Sequence, residues 1–396
     1  MNICLWSSAS FEEWYSSYHL ILKIIQEMLL AGHEVWLVQK QYSDGRLPNE
    51  IRNSANLHVI NVPQKKENKS NFVLRYINGC IYFFESRKLI KKINKVDIIF
   101  LQSNNSAIIP VYFATKHKIP IVYNVQDVFP LDAFVIGKLS KKHPAFIISR
   151  YLQAKAYRKA NRVVTISEDL KKTIQSEGRS DVDVIYNWSY QNDPYTIPDS
   201  KNHFLNSYGI KREDGFRVIY AGNIGQMIDI DMIVNAAKNL DEIKDIVFYI
   251  IGEGSGLKRL KSRVDEYGLK NVRFFDRQPM EYAQDNYCAA DVNINPVPKG
   301  VIYTCMPSKT ATCLLSQKPT VVSMDLDSDM AQRLSNVDQW SVINPGDSNA
   351  MAEEILKIYK NGSRKSNNAA EFLAELGPTD NARRYVQILE EVVKGY

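Results

Sequence analysis

Cysteine is scarce and unpatterned in this sequence: Cys4, Cys80, Cys288, Cys305 and Cys313 are odd in number, widely spaced and without a Cys-x-x-Cys pair. That distribution argues against a disulfide framework and a zinc site, and it fits reduced thiols in a cytosol. Histidine is as sparse, with six residues at unrelated positions, which excludes a histidine triad or metal cluster as a first expectation. No G-x-x-x-x-G-K-S/T phosphate loop, H-E-x-x-H motif or G-x-S-x-G elbow is present. Long apolar runs are missing too. Residues 247–251 and 146–148 are the most apolar, far short of a bilayer span. The start, Met1-Asn2-Ile3-Cys4-Leu5-Trp6, has no basic region ahead of an apolar stretch, so no signal peptide and a cytoplasmic location are expected.

What is present is enough apolar residue for two cores. A chain of 396 residues exceeds one ordinary core and suits two domains. Charge is uneven between the halves: residues 1–190 hold 26 Lys/Arg against 16 Asp/Glu, and residues 191–396 hold 24 against 28. A basic first half suggests an anionic surface as partner. From Arg75 to Lys95 the sequence mixes the aromatic and aliphatic residues Tyr76, Ile77, Tyr82, Phe83, Phe84, Leu89 and Ile90 with Arg87, Lys88, Lys91, Lys92 and Lys95. This is either an interfacial helix or an ordinary surface helix with snorkelling lysines.

Strand-length apolar runs alternate with segments of helical period, the pattern of a parallel sheet covered on both faces. In the first half strands are predicted over residues 3–5, 35–38, 57–62, 98–101, 121–124, 163–166 and 184–186. A helix is predicted from about 15 to 31, stopping at Gly32. Residues 191–202 contain two prolines and no apolar period, so they read as a linker, with a domain boundary near 195. A second series of strands is predicted over 218–221, 247–251, 272–275, 292–295, 320–322 and 342–343, and a last helix over about 381–393 carries Tyr385, Ile388, Leu389 and Val392 on one face. The expected domains are therefore 1–195 and 196–380.

In open parallel sheets ligands collect at the carboxyl ends of the strands. Gly222-Asn223-Ile224-Gly225 follows a predicted strand, and its glycines either let backbone amides approach a diphosphate or form a tight turn. The Gly252/Gly254/Gly256 loop lacks G-x-G-x-x-G spacing and is weaker. Pro307-Ser308-Lys309 offers a helix start, a hydroxyl and a cation within one turn, suited to a diphosphate or to simple solvation of the lysine. Gln126-Asp127 directly follows a buried strand, and Asp127 is either a proton acceptor for a substrate hydroxyl or a helix cap. D-x-D spacings at Asp181/Asp183, Asp229/Asp231 and Asp325/Asp327/Asp329 read as caps or solvated loops.

Several segments in fixed order give the chain a resemblance to a known family. They are Val125-Gln126-Asp127-Val128-Phe129-Pro130, Val164-Thr165-Ile166-Ser167-Glu168, Tyr186-Asn187-Trp188, Tyr220-Ala221-Gly222-Asn223-Ile224-Gly225, Gly252-Glu253-Gly254, Phe275-Asp276-Arg277-Gln278-Pro279 and Met306-Pro307-Ser308-Lys309. Across nearly its whole length the sequence resembles retaining glycosyltransferases of family four, especially bacterial surface-polysaccharide enzymes. The resemblance implies the GT-B fold: two Rossmann-like α/β domains facing each other across a cleft, with the final helix returning to the first. It further implies metal-independent transfer from a nucleotide-sugar donor, with UDP the expected nucleotide, to a saccharide or polyprenyl-diphosphate-linked saccharide in capsule, O-antigen or exopolysaccharide assembly. The expected location is the cytoplasm, at the inner face of the membrane.

The catalytic residues so implied are Asp127 and Lys309, with Gln126 on the acceptor side. Donor contacts are implied at Gly222, Asn223, Gly225, Glu253, Arg277, Thr304, Met306, Pro307, Ser308 and Thr312. No cofactor and no nucleic-acid partner are expected. The chain departs from the family pattern where two glutamates are usual, at Thr304 and Thr312, and where Arg and Lys are usual, at Asn223 and Ile228. A usual Gly-Gly pair near the N-terminus is replaced by residues 7–11. A nucleotide-sugar 2-epimerase of the same architecture and a non-catalytic donor-binding subunit are the alternative readings.

Overall fold

A computed structural model describes residues 1–12, 18–43, 47–65, 72–103, 106–189, 196–362 and 369–396. The chain divides into two compact units: Met1–Asn187 with Tyr303–Met306 and Gly377–Tyr396, and Trp188–Ile302 with Pro307–Leu376.

Among the described residues the first unit holds seven strands: β1 Asn2–Ser7, β2 Glu34–Gln41, β3 Leu57–Pro63, β4 Ile98–Gln102, β5 Ile121–Val125, β6 Arg162–Thr165 and β7 Asp183–Val184. They form one parallel sheet in the order β3-β2-β1-β4-β5-β6-β7. Every residue of β4 and β5 is buried. A parallel sheet covered on both faces requires such continuous apolar runs, and this is why the strands were legible.

The second unit repeats the plan with six strands among its described residues: β8 Phe216–Ala221, β9 Ile246–Ile251, β10 Val272–Phe275, β11 Val292–Pro296, β12 Thr320–Ser323 and β13 Trp340–Ile343. Their order is β10-β9-β8-β11-β12-β13, again parallel. Strand order reverses beside β1 in the first sheet and beside β8 in the second, so each sheet has a switch point where helices part and leave a crevice at the carboxyl ends. The architecture is α/β and doubly wound in both units, the GT-B pattern.

Helix Tyr18–Leu30 packs its apolar face, including Leu22, Ile25 and Met28, inward. It ends at Gly32, whose φ of 78° permits the His33 amide to reach the Met28 carbonyl at 3.1 Å. The predicted beginning of this helix near Tyr15 lies outside the described residues. The last helix starts earlier than its periodicity suggested, at Pro378, because proline is well placed at a helix's first turn. Helix Pro378–Lys394 packs on helix Tyr18–Leu30, with Tyr385 and Leu389 fully buried, and each such side chain stabilises by about 1.5–3 kcal/mol. Arg383 donates to Glu27 at 3.1 Å, and Asn381 Nδ2 donates to the Tyr186 carbonyl at 3.0 Å.

The linker expected over 191–202 differs in its second half, and residues 191–195 lie outside the described residues. Asp199–Lys201 forms a 3-10 turn, Asn202 caps helix His203–Tyr208, and Asp199 pairs at 2.8 Å with Arg217, which is buried at the start of β8. A buried guanidinium needs compensating carboxylates, and Asp199 and Asp291 supply them.

Candidate functional site

In the second unit the loop after β8 sits at the switch point. Gly222 has φ of 135°, and a Cβ there would lie 2.5 Å from Lys309 Cε. The missing side chain is therefore room for the lysine. Lys309 is the first residue of helix Lys309–Leu315, and its ammonium lies over the Tyr220 ring, 4.4 Å from the centroid, while donating to Tyr220 Oη at 2.6 Å. Burial pushes the Tyr220 phenol far up in pKa, so it keeps its proton and donates it to the Asn223 carbonyl at 2.7 Å. Lysine, tyrosine and glycine loop thus form one chain of contacts at the carboxyl end of β8.

The second glycine loop has a different role from the first. Gly222 N donates to Ile251 O at 2.9 Å, Ile224 N to Glu253 O at 2.8 Å, and Gly256 N to Ile224 O at 2.8 Å. A Cβ at Gly252 would lie 2.0 Å from the Gly222 carbonyl oxygen, and one at Gly254 2.4 Å from that of Ile224. These glycines let two loops hydrogen-bond backbone to backbone. Beyond them, Arg277 Nη1 meets Glu253 Oε1 at 3.0 Å with both side chains well exposed. The two candidate donor contacts are thus partners of each other.

Ser308 is exposed and makes no side-chain cap bond, and Pro307 precedes the first helical residue by two positions instead of opening the first turn. Thr312 Oγ1 is 3.0 Å from Ser189 Oγ. Ile228 is buried in the apolar core of the second unit, so no charge enters the site there. Asn295 Nδ2 on β11 and Thr310 Oγ1 are buried without a partner among the described residues. Neither was singled out by the sequence, in which Val292-Asn293-Ile294-Asn295 shows only asparagines alternating along a strand.

In the first unit Gln126 and Asp127 leave the end of β5 half-buried. Helix Leu131–Val135 is capped at Pro130, so Asp127 is not the cap of that helix. Instead Asp127 forms an isolated antiparallel bridge with Cys305, and Val128 N donates to Thr304 O at 2.7 Å. Those contacts are why Tyr303–Met306, containing the candidate donor residues Thr304 and Met306, group with the first unit and not with the second. Gln126 Oε1 accepts from Asn187 Nδ2 at 2.7 Å, and Gln126 Nε2 donates to Asn124 Oδ1 at 3.3 Å. Asn124 in turn donates to Gln102 at 2.6 Å and accepts from Tyr385 of the last helix at 3.2 Å. Sequence reasoning missed the roles of Gln102 and Asn124, because amides inside buried strands give no local signal of the network they join.

Among the described residues no three or more His, Cys, Asp or Glu gather as metal ligands. Asp229 caps helix Ile230–Asn239, Asp231 pairs with Arg259, and Asp325 accepts from Gly300 N at 2.7 Å. No described helix is long and apolar enough to cross a membrane.

Residues 19–188 match Glycosyltransferase Family 4, and residues 215–361 match Glycosyl transferases group 1. A probable glycosyltransferase, WbjE of Pseudomonas aeruginosa, is 23% identical over 320 residues, 79% of this chain and 78% of that protein. In fold the chain is similar to sucrose-phosphate synthase from Thermosynechococcus elongatus, with a TM-score of 0.70 at 15% identity, covering 100% of this chain and 97% of the other. It is also similar to Anabaena Alr3699/HepE in complex with UDP, with a TM-score of 0.64 at 15% identity and coverage of 100% and 97%. Each part of the chain matches a glycosyltransferase model, and the relatives it matches are glycosyltransferases, so the chain is a glycosyltransferase whose first part matches Glycosyltransferase Family 4.

Proposed function

We propose that this glycosyltransferase is a retaining, metal-independent enzyme that moves a sugar from a UDP-linked donor to a saccharide carried on a lipid diphosphate, in bacterial surface-polysaccharide assembly. The observation that carries the donor half is Lys309, held over Gly222 by Tyr220 at the carboxyl end of β8. An ammonium fixed there neutralises the charge that grows on a departing nucleoside diphosphate, the role a cation plays in other transferases. Gly222, Asn223 and Gly225 line the donor's approach, Thr312 and Ser308 flank the lysine, and Glu253 with Arg277 borders the loop.

In the first unit Asp127 takes the proton of the acceptor hydroxyl, and the Gln126 amide, oriented by Asn187 and Asn124, positions that hydroxyl. The bond from the anomeric carbon to the diphosphate oxygen breaks, and a bond to the acceptor oxygen forms on the same face of the sugar. The likeness to HepE bound to UDP supports the choice of nucleotide. The basic first half supports an acceptor presented at an anionic membrane surface.

The test is a screen of nucleotide sugars for thermal stabilisation, followed by turnover with and without EDTA. The expected outcome is that UDP-sugars raise the melting temperature, that turnover survives chelation with retained anomeric configuration, and that Lys309→Ala lowers kcat by about 10²–10³-fold. Stabilisation by other nucleotides alone, turnover abolished by EDTA, or near-normal kinetics of Lys309→Ala would each remove the corresponding part.

A further inference from the structure

Helices Phe72–Ile90, Ile108–His117 and Pro144–Lys159 connect β3 to β4, β4 to β5 and β5 to β6. All three crossovers step the same way across the sheet, so right-handed connections put the helices on one face. They pack side by side in that order. Of the twelve most exposed large apolar side chains among the described residues, eight fall on these three helices. Ile77, Ile81 and Phe84 form a stripe on the first, Tyr112 stands on the second, and Ile148 and Tyr151 on the third. Single exposed apolar residues need no explanation, but a shared face of them marks an interaction surface.

A cavity of about 270 Å³ opens in this face between the first two helices. Phe84, Ile108, Ile109 and Phe113 supply apolar walls, and Arg87, Lys91 and Lys116 bring cations to it. Arg87 lies 4.5 Å from the Phe84 ring centroid. Nearby Lys95 meets Asp97 at 3.0 Å, whereas among the described residues no carboxylate lies within ion-pair distance of the three cavity cations. Basic residues in the last turn complement a helix's carbonyl end, which explains some of the charge but not the apolar walls. Both last turns lie toward the amino-terminal edge of the sheet, away from the carboxyl edge that carries Gln126 and Asp127.

We infer that this cavity is a binding site for the phosphate headgroup of an anionic phospholipid, with the exposed apolar face set into the same bilayer. Uncompensated cations over aromatic and aliphatic walls match a phosphate ester attached to hydrocarbon. A free phosphate would leave those walls wet, and a nucleic acid would leave Ile77, Ile81 and Ile148 in water. The inference deepens the membrane-surface part of the function proposed above and is independent of the donor chemistry.

The full chain is sedimented, without nucleotide sugar, with vesicles of phosphatidylcholine alone or mixed with phosphatidylglycerol. Binding to the mixed vesicles only is expected. Lys91→Gln with Lys116→Gln lowers it by roughly 25-fold, since each cation near an anionic surface contributes about fivefold. Phe84→Ser with Tyr112→Ser, which keeps every charge, also weakens it. Lys88→Gln with Lys92→Gln, on the same helix segment but outside the cavity, weakens it less than the cavity pair does. Equal losses in the two lysine pairs would overturn the cavity, as would equal binding to phosphatidylcholine alone. Thermal stabilisation by UDP-sugars, followed in parallel, separates failure of this site from failure of the donor reading.

Discussion

Lys309 Nζ donates to Tyr220 Oη at 2.6 Å while lying over the same ring, and the space it crosses exists because residue 222 has no Cβ. Ammonium and phenol are 89 positions apart in sequence, yet together they set where positive charge stands at the end of β8. Tyr220→Phe keeps the ring face and removes both the acceptor for Lys309 and the donor to the Asn223 carbonyl. It should lower kcat by about tenfold, equivalent to one charge-assisted hydrogen bond, and cost only about 1 kcal/mol of stability. Unaltered kcat with a lower melting temperature would assign Tyr220 to folding alone.

The two glycine loops separate ligand space from packing space. At Gly222 the obstacle to a methyl group is the flexible end of Lys309, whereas at Gly252 it is a backbone carbonyl oxygen. Gly222→Ala should displace the lysine and reduce turnover, with the φ of 135° adding backbone strain to that loss. Gly252→Ala should destabilise the second unit by about 1–3 kcal/mol, because strained backbone has nowhere to move. Calorimetry and steady-state kinetics on the two variants decide the matter, and the same ranking in both measurements would refute the separation.

Asp127→Asn keeps the shape of the side chain and abolishes its basicity. A loss of about 10²–10⁴ in kcat with little change in donor stabilisation is expected of a proton acceptor. If kcat survives and only acceptor KM rises, Asp127 positions the acceptor without taking its proton.

Glu27 ties the last helix to the first. Burial acts to raise its pKa, but the hydrogen bonds from Lys23 and Arg383 outweigh it and hold the carboxyl below the ordinary glutamate range. A depressed carboxylate stabilises the fold at pH above its unfolded pKa, about 4.3, and that contribution is lost as pH falls through the lower folded value. Glu27→Gln should therefore cost about 1–2 kcal/mol at neutral pH, and parent and variant should converge in acid. A pH-independent gap in thermal denaturation would show that packing, not ionisation, is at stake.

The central strands were legible because a sheet buried on both faces needs unbroken apolar runs such as Ile246–Ile251, whereas edge strands such as Asp183–Val184 are only half-buried and their bounds were less well marked. The candidate residues at strand ends were legible for a related reason, since a polar pair directly after such a run, as at Gln126 and Asp127, has nowhere to go but the carboxyl edge. Helix faces were less so. The stretch of mixed aromatic and basic residues after Arg75 turns Tyr82 and Phe83 inward and Ile81 and Phe84 outward, a choice made by the neighbouring helices and not by composition.

The amino-acid sequence by itself determined two doubly wound sheets, the positions of the loops at their carboxyl ends, and a family pattern that names the class of reaction. Local periodicity and turn chemistry act over a few residues, and that range suffices for those features. Tertiary structure alone decided that Gly222 makes way for Lys309, that Gly252 and Gly254 serve loop packing, that Glu253 pairs with Arg277, and that Tyr303–Met306 join the first unit beside Asp127. Each is a contact between segments distant in sequence, created when the sheet brings strand ends together, and no periodicity within either segment encodes it.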